Sequence, residues 1–303
     1  MIDLHCHTTA SDGLVTPSNI IKQAAKEGIA VIAISDHDTV TGLDEAAQVS
    51  EKEGVCLIPA IELSVAFPKG DFHLLGYGIQ YEHQDFRDKL APLKCIREER
   101  ILRIIERLNL AGVNLTHGDV QNESNGATPG KPHVARALVK KGYATDVYAA
   151  MITYLNKGMP GYVPKEKISP GSAFELIKSA NALSVLAHPK SLKCEDPEEY
   201  NQIIQILISL GLDGIEVYAT IHDNQDVELF NEIAQRYNLI ATGGSDFHGD
   251  NGRRLGYYGD RRPIPESCFH SLLQVIDTQK SLFKDGKKLF HSADKNRNRY
   301  GAR

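Results

Sequence analysis

The sequence contains no CxxC pair. Its five cysteines (Cys6, Cys56, Cys95, Cys194 and Cys268) are odd in number and widely scattered. That argues against a disulfide framework or a Cys-rich zinc site and suits a reducing cytoplasm. No apolar run approaches the length of a membrane span, so no membrane partner is expected. The opening Met1-Ile2-Asp3-Leu4-His5 lacks the basic segment and apolar run of a secretory signal. Positive charge is not in excess: 34 Lys+Arg stand against 39 Asp+Glu, a net charge of −5. Proteins that capture long RNA or DNA non-specifically are usually basic, so that class is disfavoured, although a local basic patch can still hold a phosphate. There is no internal repeat.

What is present is an ordinary globular composition. The chain has 303 residues, 42% of them hydrophobic, enough for one large domain or one domain with a sizeable insertion. Strand and helix signals alternate over residues 1–82. Strands are expected at Met1–His5, Ile29–Ser35, Val55–Ile61 and Phe72–Ile79, with helices at about Thr16–Gly28 and Thr41–Gly54. This rhythm predicts a parallel sheet with right-handed crossovers. It breaks at about 83–165, where Ile101, Ile104, Ile105 and Leu108 recur at helical spacing. A polar loop is expected at Asn122–Gly130, and helices near His133–Lys141 and Asp146–Leu155. Alternation resumes with strands at Leu183–Ala187, Gly214–Tyr218 and Leu239–Thr242. Helices fall at Gly171–Asn181, Pro197–Leu210, Asn224–Tyr237 and Glu266–Thr278. The expected organisation is an α/β barrel built from 1–82 and 166–286, a helical insertion at 83–165, and a frayed polar tail at 287–303. In such barrels chemistry sits at the carboxyl ends of the strands.

Acidic and histidine side chains fall where that rule wants them. His5 and His7 lie at i and i+2 of an extended segment, so both face one side while Cys6 faces the other. Asp12 follows in a Gly-containing loop. His37 closes the second strand within Ser35-Asp36-His37-Asp38, where Asp38 reads as a cap for the next helix. Glu62 ends the third strand, and a carboxylate there is expensive to bury without a cation. His73 lies in the next strand, His188 ends another, and Asp246-Phe247-His248 repeats the i, i+2 logic after two glycines. Each residue alone has a bland reading as a cap or core group. Together they predict a metal centre of nitrogen and oxygen ligands without thiolate, suited to Mn, Zn or Fe.

The set His5, His7, Asp12, His37, Glu62, His73, His188, Asp246 and His248 resembles the nine-ligand pattern of the PHP (polymerase and histidinol phosphatase) family. The resemblance covers nearly the whole chain and implies a distorted (β/α)7 barrel with a cluster of two to three divalent metal ions. It implies His5, His7, Glu62 and Asp246 on one ion, a bridging Glu62 with His73 and His188 on a second, and Asp12, His37 and His248 on a third. Thr8-Thr9-Ala10-Ser11-Asp12-Gly13 and Gly130-Lys131-Pro132-His133-Val134-Ala135-Arg136 resemble the bacterial branch of 3′,5′-nucleoside bisphosphate phosphatases and the exoribonuclease RNase AM, which carries a helical insertion. The segment Gly249–Gly256 departs from the exoribonuclease continuation.

The resemblance implies hydrolysis of the 3′-phosphate of nucleoside 3′,5′-bisphosphates, extending to short 5′-phosphorylated RNA, by a metal-bridged water. Small phosphorylated nucleotides and short RNA are the implied partners. Arg136 offers a planar fork for phosphate, on one helix face with His133, or is a solvated helix residue. His222 is a candidate general acid, a phosphate contact or an ordinary loop histidine. Lys157, in Asn156-Lys157-Gly158, is a weaker substrate-contact candidate, and Tyr218 lines the pocket or packs at its rim. Alternatives are a phosphatase on histidinol phosphate or a cyclic phosphate diester, a non-catalytic PHP module, and a C–N amidohydrolase.

Overall fold

The sheet curls so far that its first and last strands meet at one end. The computed structural model describes residues 1–124, 128–249 and 252–282. The expected tail at 287–303, the barrel's last residues 283–286, residues 125–127 of the expected loop and residues 250–251 lie outside it. Seven strands form one sheet in sequence order: β1 (Ile2–Cys6), β2 (Val31–Ile34), β3 (Cys56–Val65), β4 (Phe72–Tyr77), β5 (Leu183–Leu186), β6 (Gly214–Ala219) and β7 (Ile240–Gly244). His7 N donates to Phe247 O and Asp246 N to His5 O, both at 2.8 Å, and these bonds nearly close the barrel.

The expectation of an all-parallel sheet is corrected at β4, which runs antiparallel to both β3 and β5. Residues 66–71 alone join β3 to β4, and a parallel crossover needs a dozen residues or more. Reversal brings the start of β4 to the mouth where its neighbours end. A second correction concerns Glu62, which does not end a strand. β3 continues to Val65, and Glu62 pairs with Leu75 of β4. The parallel ladder between β2 and β3 has stopped by then, at Ile34 and Pro59, so Glu62 is level with the loop carrying His37.

Helices flank the sheet: α1 (Pro17–Lys26), α2 (Leu43–Glu53), α7 (Pro170–Ser179), α8 (Pro197–Leu210), α9 (Asn224–Arg236) and α10 (Ser267–Leu282). Three start with one device: an oxygen-bearing cap (Thr16, Ser169, Asp196) accepts a backbone N–H, and proline follows it. Proline's missing donor costs nothing in a first turn. Ile20, Ile34, Leu74, Ile177 and Phe230 pack in the layer between strands and helices. Leu4, Val31, Ile58, Tyr77 and Val185 fill the barrel interior with Leu272 and Ile276 of α10. Each such burial contributes about 1.5–3 kcal/mol.

Between β4 and β5 lie α3 (Gln84–Leu110), α4 (His117–Ser124), α5 (Lys131–Lys140) and α6 (Val147–Ala150), which runs into a π-helical turn at Met151–Leu155. α4 takes up the start of the expected loop at Asn122–Gly130. Ile101, Ile104, Leu108, Leu138 and Leu155 form a separate core, while Phe86 at the start of α3 packs with the barrel. A two-stranded ribbon, β8 (Tyr257–Tyr258) with β9 (Arg262–Pro263), was not expected. Among the described residues no helix is long and apolar enough to cross a membrane.

Candidate metal centre

A bulge aims the first ligands. The register of β1 against β2 slips between Asp3 and Cys6. Leu4 packs inside the barrel, whereas Cys6 packs outside, its Sγ donating to Ala33 O at 3.1 Å. His5 and His7 therefore face the mouth together, their Nε2 atoms 3.1 Å apart. β7 presses against this turn, and only glycine fits there: a Cβ on Gly244 would lie 2.1 Å from the Cβ of His5.

All nine expected ligands converge. Four groups with donor atoms within 4.8 Å of one another occur among the described residues: His7/Asp12/His37/His248, His5/Glu62/His188, His5/His7/Asp246 and His37/Glu62/His73. No other residue belongs to them. Glu62, 1% exposed, is the hub. His37 Nδ1, His73 Nδ1, His188 Nε2, His7 Nε2 and His5 Nε2 lie 2.9, 3.0, 3.1, 3.3 and 3.4 Å from its oxygens. Asp246 Oδ1 is 3.2 Å from His7 Nε2 and 3.6 Å from His5 Nε2. Asp12 lies 3.4 Å from His248 and 3.8 Å from His37, so His37 stands closer to Glu62 than to Asp12. Asp38, His188 and Asp246 have positive φ of 54, 26 and 50°. Such backbone costs roughly 1–3 kcal/mol per residue and collects at functional sites.

This donor set fits divalent cations. His37 and His73 lie within 3.0 Å of Glu62, yet their Nδ1 atoms are buried without a hydrogen-bond partner. Lone pairs that converge without a proton between them suit a shared cation. Burial opposes every charge here, but the histidines hold Glu62, Asp12 and Asp246 well below the usual carboxylate range. Burial likewise opposes a charge on His248, yet the hydrogen bond and charge of Asp12 push it up to about 9. Burial and the charge of His248 take His7 down to about 3.

Sequence reasoning missed a frame of buried carboxylates behind the cluster. Asp36 accepts from Thr8 N, Thr8 Oγ1 and Ser11 Oγ, which shapes the loop before Asp12. Asp3 accepts from Ser245 N, Ser245 Oγ and Gly256 N, which fixes the turn before Asp246. Burial raises Asp3 to about 6. Lone acidic residues in apolar strands carry no spacing signal that would reveal these roles.

Cations reach in from the helical segment. Arg97 of α3 donates to His37 O. A Cβ on Gly130 would lie 3.2 Å from Arg97 Nη2 and 3.6 Å from His133 Nδ1. His133 is fully buried. Its Nδ1 accepts from Gly130 N at 2.8 Å, so the neutral ring carries its proton on Nε2. That Nε2 and Arg136 Nη1 are buried donors with no partner, and both feel the charge of Asp12. Burial, then Arg136 and Arg97, lowers His133 to about 4. On the other rim Arg253 donates to Asp246 Oδ2 at 2.5 Å. Arg97 and Arg253 went unnoticed because each lies in a charged run that reads as solvated surface.

The remaining candidates differ. Asp38 does not cap α2, whose N-cap is Gly42; its Oδ1 accepts from Ser64 N and its Oδ2 pairs with Lys165. His222 is buried beyond β6, its Nε2 without a partner. Its Nδ1 must donate to Val217 O at 2.8 Å, because a carbonyl only accepts. Burial lowers its pKa. Tyr218 packs edge-on against Tyr258, with ring centres 5.2 Å apart. Lys157 is exposed in the turn after Leu155, and no contact of it with the cluster occurs among the described residues.

Comparison with known proteins agrees with this geometry. A family model described as "PHP domain" matches residues 3–289. The chain is 34% identical over 285 residues to a 3′,5′-nucleoside bisphosphate phosphatase from Chromobacterium violaceum, covering 89% of this chain and 96% of the relative. It is 29% identical over 246 residues to a 5′-3′ exoribonuclease from Haemophilus influenzae, covering 81% and 89%. A solved structure from Bifidobacterium adolescentis, described as a metal-dependent phosphoesterase, superposes with a TM-score of 0.78 at 30% identity, covering 90% of this chain and 95% of that one.

Proposed function

Because the chain belongs to the PHP domain family, we propose that it is a metal-dependent phosphoesterase that hydrolyses the 3′-phosphate of nucleoside 3′,5′-bisphosphates, with short 5′-phosphorylated RNA as a further substrate. The described residues of 1–82 and 166–286 form the barrel that would hold the reacting phosphate, and those of 83–165 a cap that would recognise a second one. One observation carries this reading: buried, unpartnered donors on His133 and Arg136 feel the charge of Asp12, one of nine thiolate-free ligands that converge. A single-phosphate enzyme has no need of such a second anion site.

His5, His7, Glu62 and Asp246, then Glu62, His73 and His188, then Asp12, His37 and His248 would hold two to three divalent ions, Mn, Zn or Fe. Bound there, such ions lower the pKa of water toward neutrality and neutralise phosphate charge. The protein's part is placement. The Asp36 and Asp3 frames hold the ligand loops, and Arg136 and the neutral His133 donate to the substrate's second phosphate. Cys6 is buried and already donates to Ala33 O, so no protein nucleophile is invoked. Five free cysteines suit a cytoplasmic location. Phosphate release from a bisphosphate, compared with the two monophosphates, tests the reading.

A further inference from the structure

We propose that Glu216 is a positioning residue of this centre: it fixes His5 in the tautomer that frees Nε2 for a cation, and it pins the backbone of His188. The inference rests on the metal-dependent reading above and is independent of the substrate.

Glu216 lies within β6 and is 0% exposed. The register of β6 against β7 slips just beyond it, and such bulges re-aim side chains beside active sites. One carboxylate oxygen, Oε1, lies 3.0 Å from His5 Nδ1. The other, Oε2, accepts from His188 N at 2.7 Å. With both oxygens placed as acceptors, one for His188 N and one facing His5 Nδ1, the geometry makes His5 Nδ1 the donor. The neutral imidazole is then bare at Nε2, which faces His7 Nε2, Glu62 and Asp246 at 3.1, 3.4 and 3.6 Å. A carboxylate behind a ligating histidine sets this tautomer and raises the ligand's basicity.

The second contact acts on the ligand beside His5, whose ring stacks on that of His188 with centres 5.7 Å apart. His188 follows β5, has a φ of 26° and leads into a tight turn at Pro189–Leu192. The bond from this N–H to Glu216 holds the backbone from which the ring reaches Glu62. The ring's own tautomer is set separately. Ser191 Oγ donates to Asp71 O at 2.7 Å and must therefore accept from His188 Nδ1 at 2.9 Å, which leaves His188 Nε2 free toward Glu62 at 3.1 Å. Glu216 thus couples two ligands that lie far apart in sequence.

Only a carboxylate serves both donors. In Glu216→Gln, an amide oxygen turned to His5 sets an NH2 against His188 N–H. Turned the other way, the NH2 donates to His5 Nδ1 and drives the imidazole proton to Nε2, inside the cluster. This isosteric change is therefore the test. Metal-stripped full-length protein is titrated calorimetrically with Zn2+. Glu216→Gln should weaken the tightest site about 10–100-fold, and excess metal should restore kcat with KM unchanged. In a His5→Ala background the same change should weaken binding much less, because the two residues act as one unit. Binding equal to wild type overturns the proposal, as does full additivity with His5→Ala. Circular dichroism and thermal unfolding of the metal-free variant check folding. If Glu216→Gln does not fold, the cycle is run with Glu216→Asp, whose shorter side chain cannot reach both donors, under the same criteria. A wild-type protein that binds no Zn2+ would instead overturn the metal-dependent reading.

Discussion

Lys165 reaches Asp38 at 3.1 Å, and this ion pair joins the segment after the helical region to the loop that carries His37. Burial raises the Asp38 pKa, but Lys165 and then Arg97 more than offset it, so the carboxylate is held below its usual range. Asp38 is 7% exposed and Lys165 30%. Lys165→Met should leave that carboxylate without its cation and destabilise the protein by about 1–3 kcal/mol. Thermal unfolding measures this, and an unchanged midpoint would contradict it.

Asp246→Asn should preserve the fold and abolish the chemistry. The substitution keeps the shape that Arg253 contacts but removes a charge 3.2 Å from His7 Nε2. A supporting partner of a ligand is worth about 10–100-fold in metal affinity, and a direct charged ligand should exceed about 100-fold. Elemental analysis together with turnover checks this; wild-type metal content with full activity would remove Asp246 from the centre.

His133 makes a prediction about pH. Its folded pKa of about 4 lies below the ordinary 6.5, so between these values the unfolded chain binds more protons. The stability contributed by keeping His133 neutral is complete above pH 6.5 and is lost as pH falls toward 4. In metal-free protein, His133→Gln should flatten the fall in melting temperature across that window. Parallel curves for variant and wild type would show that the buried ring does not titrate as described.

Arg136→Ala should raise KM for a bisphosphate, since a charge-assisted contact to phosphate is worth about 1.5–3 kcal/mol, roughly 10–100-fold. A monophosphate lacking the second phosphate should be affected much less. Equal effects on both substrates would make Arg136 a general structural residue.

The nine donors were legible because their types recur beside strand boundaries with i, i+2 pairs at both ends of the set. The start of α1 also announced itself, at Thr16-Pro17. Chain direction did not, because an apolar run such as Phe72–Tyr77 reads alike in either orientation and only the short connection at 66–71 betrays the reversal. Glu62 looked like a strand end because alternation ceases to be informative once both faces are buried. Glu216, Asp3 and Asp36 were invisible for a related reason: their partners are backbone N–H groups, hydroxyls and a ring nitrogen that only the fold brings close.

The measurement that bears most directly on the proposed function is phosphate release by the metal-reconstituted protein from adenosine 3′,5′-bisphosphate, run against 3′-AMP, 5′-AMP and histidinol phosphate. The two-phosphate site predicts a kcat/KM for the bisphosphate at least about tenfold above each of the others, the value of one phosphate contact, with 5′-AMP as the product. Equal turnover of 3′-AMP would show that the donors of His133 and Arg136 recognise no second phosphate and would contradict the proposal.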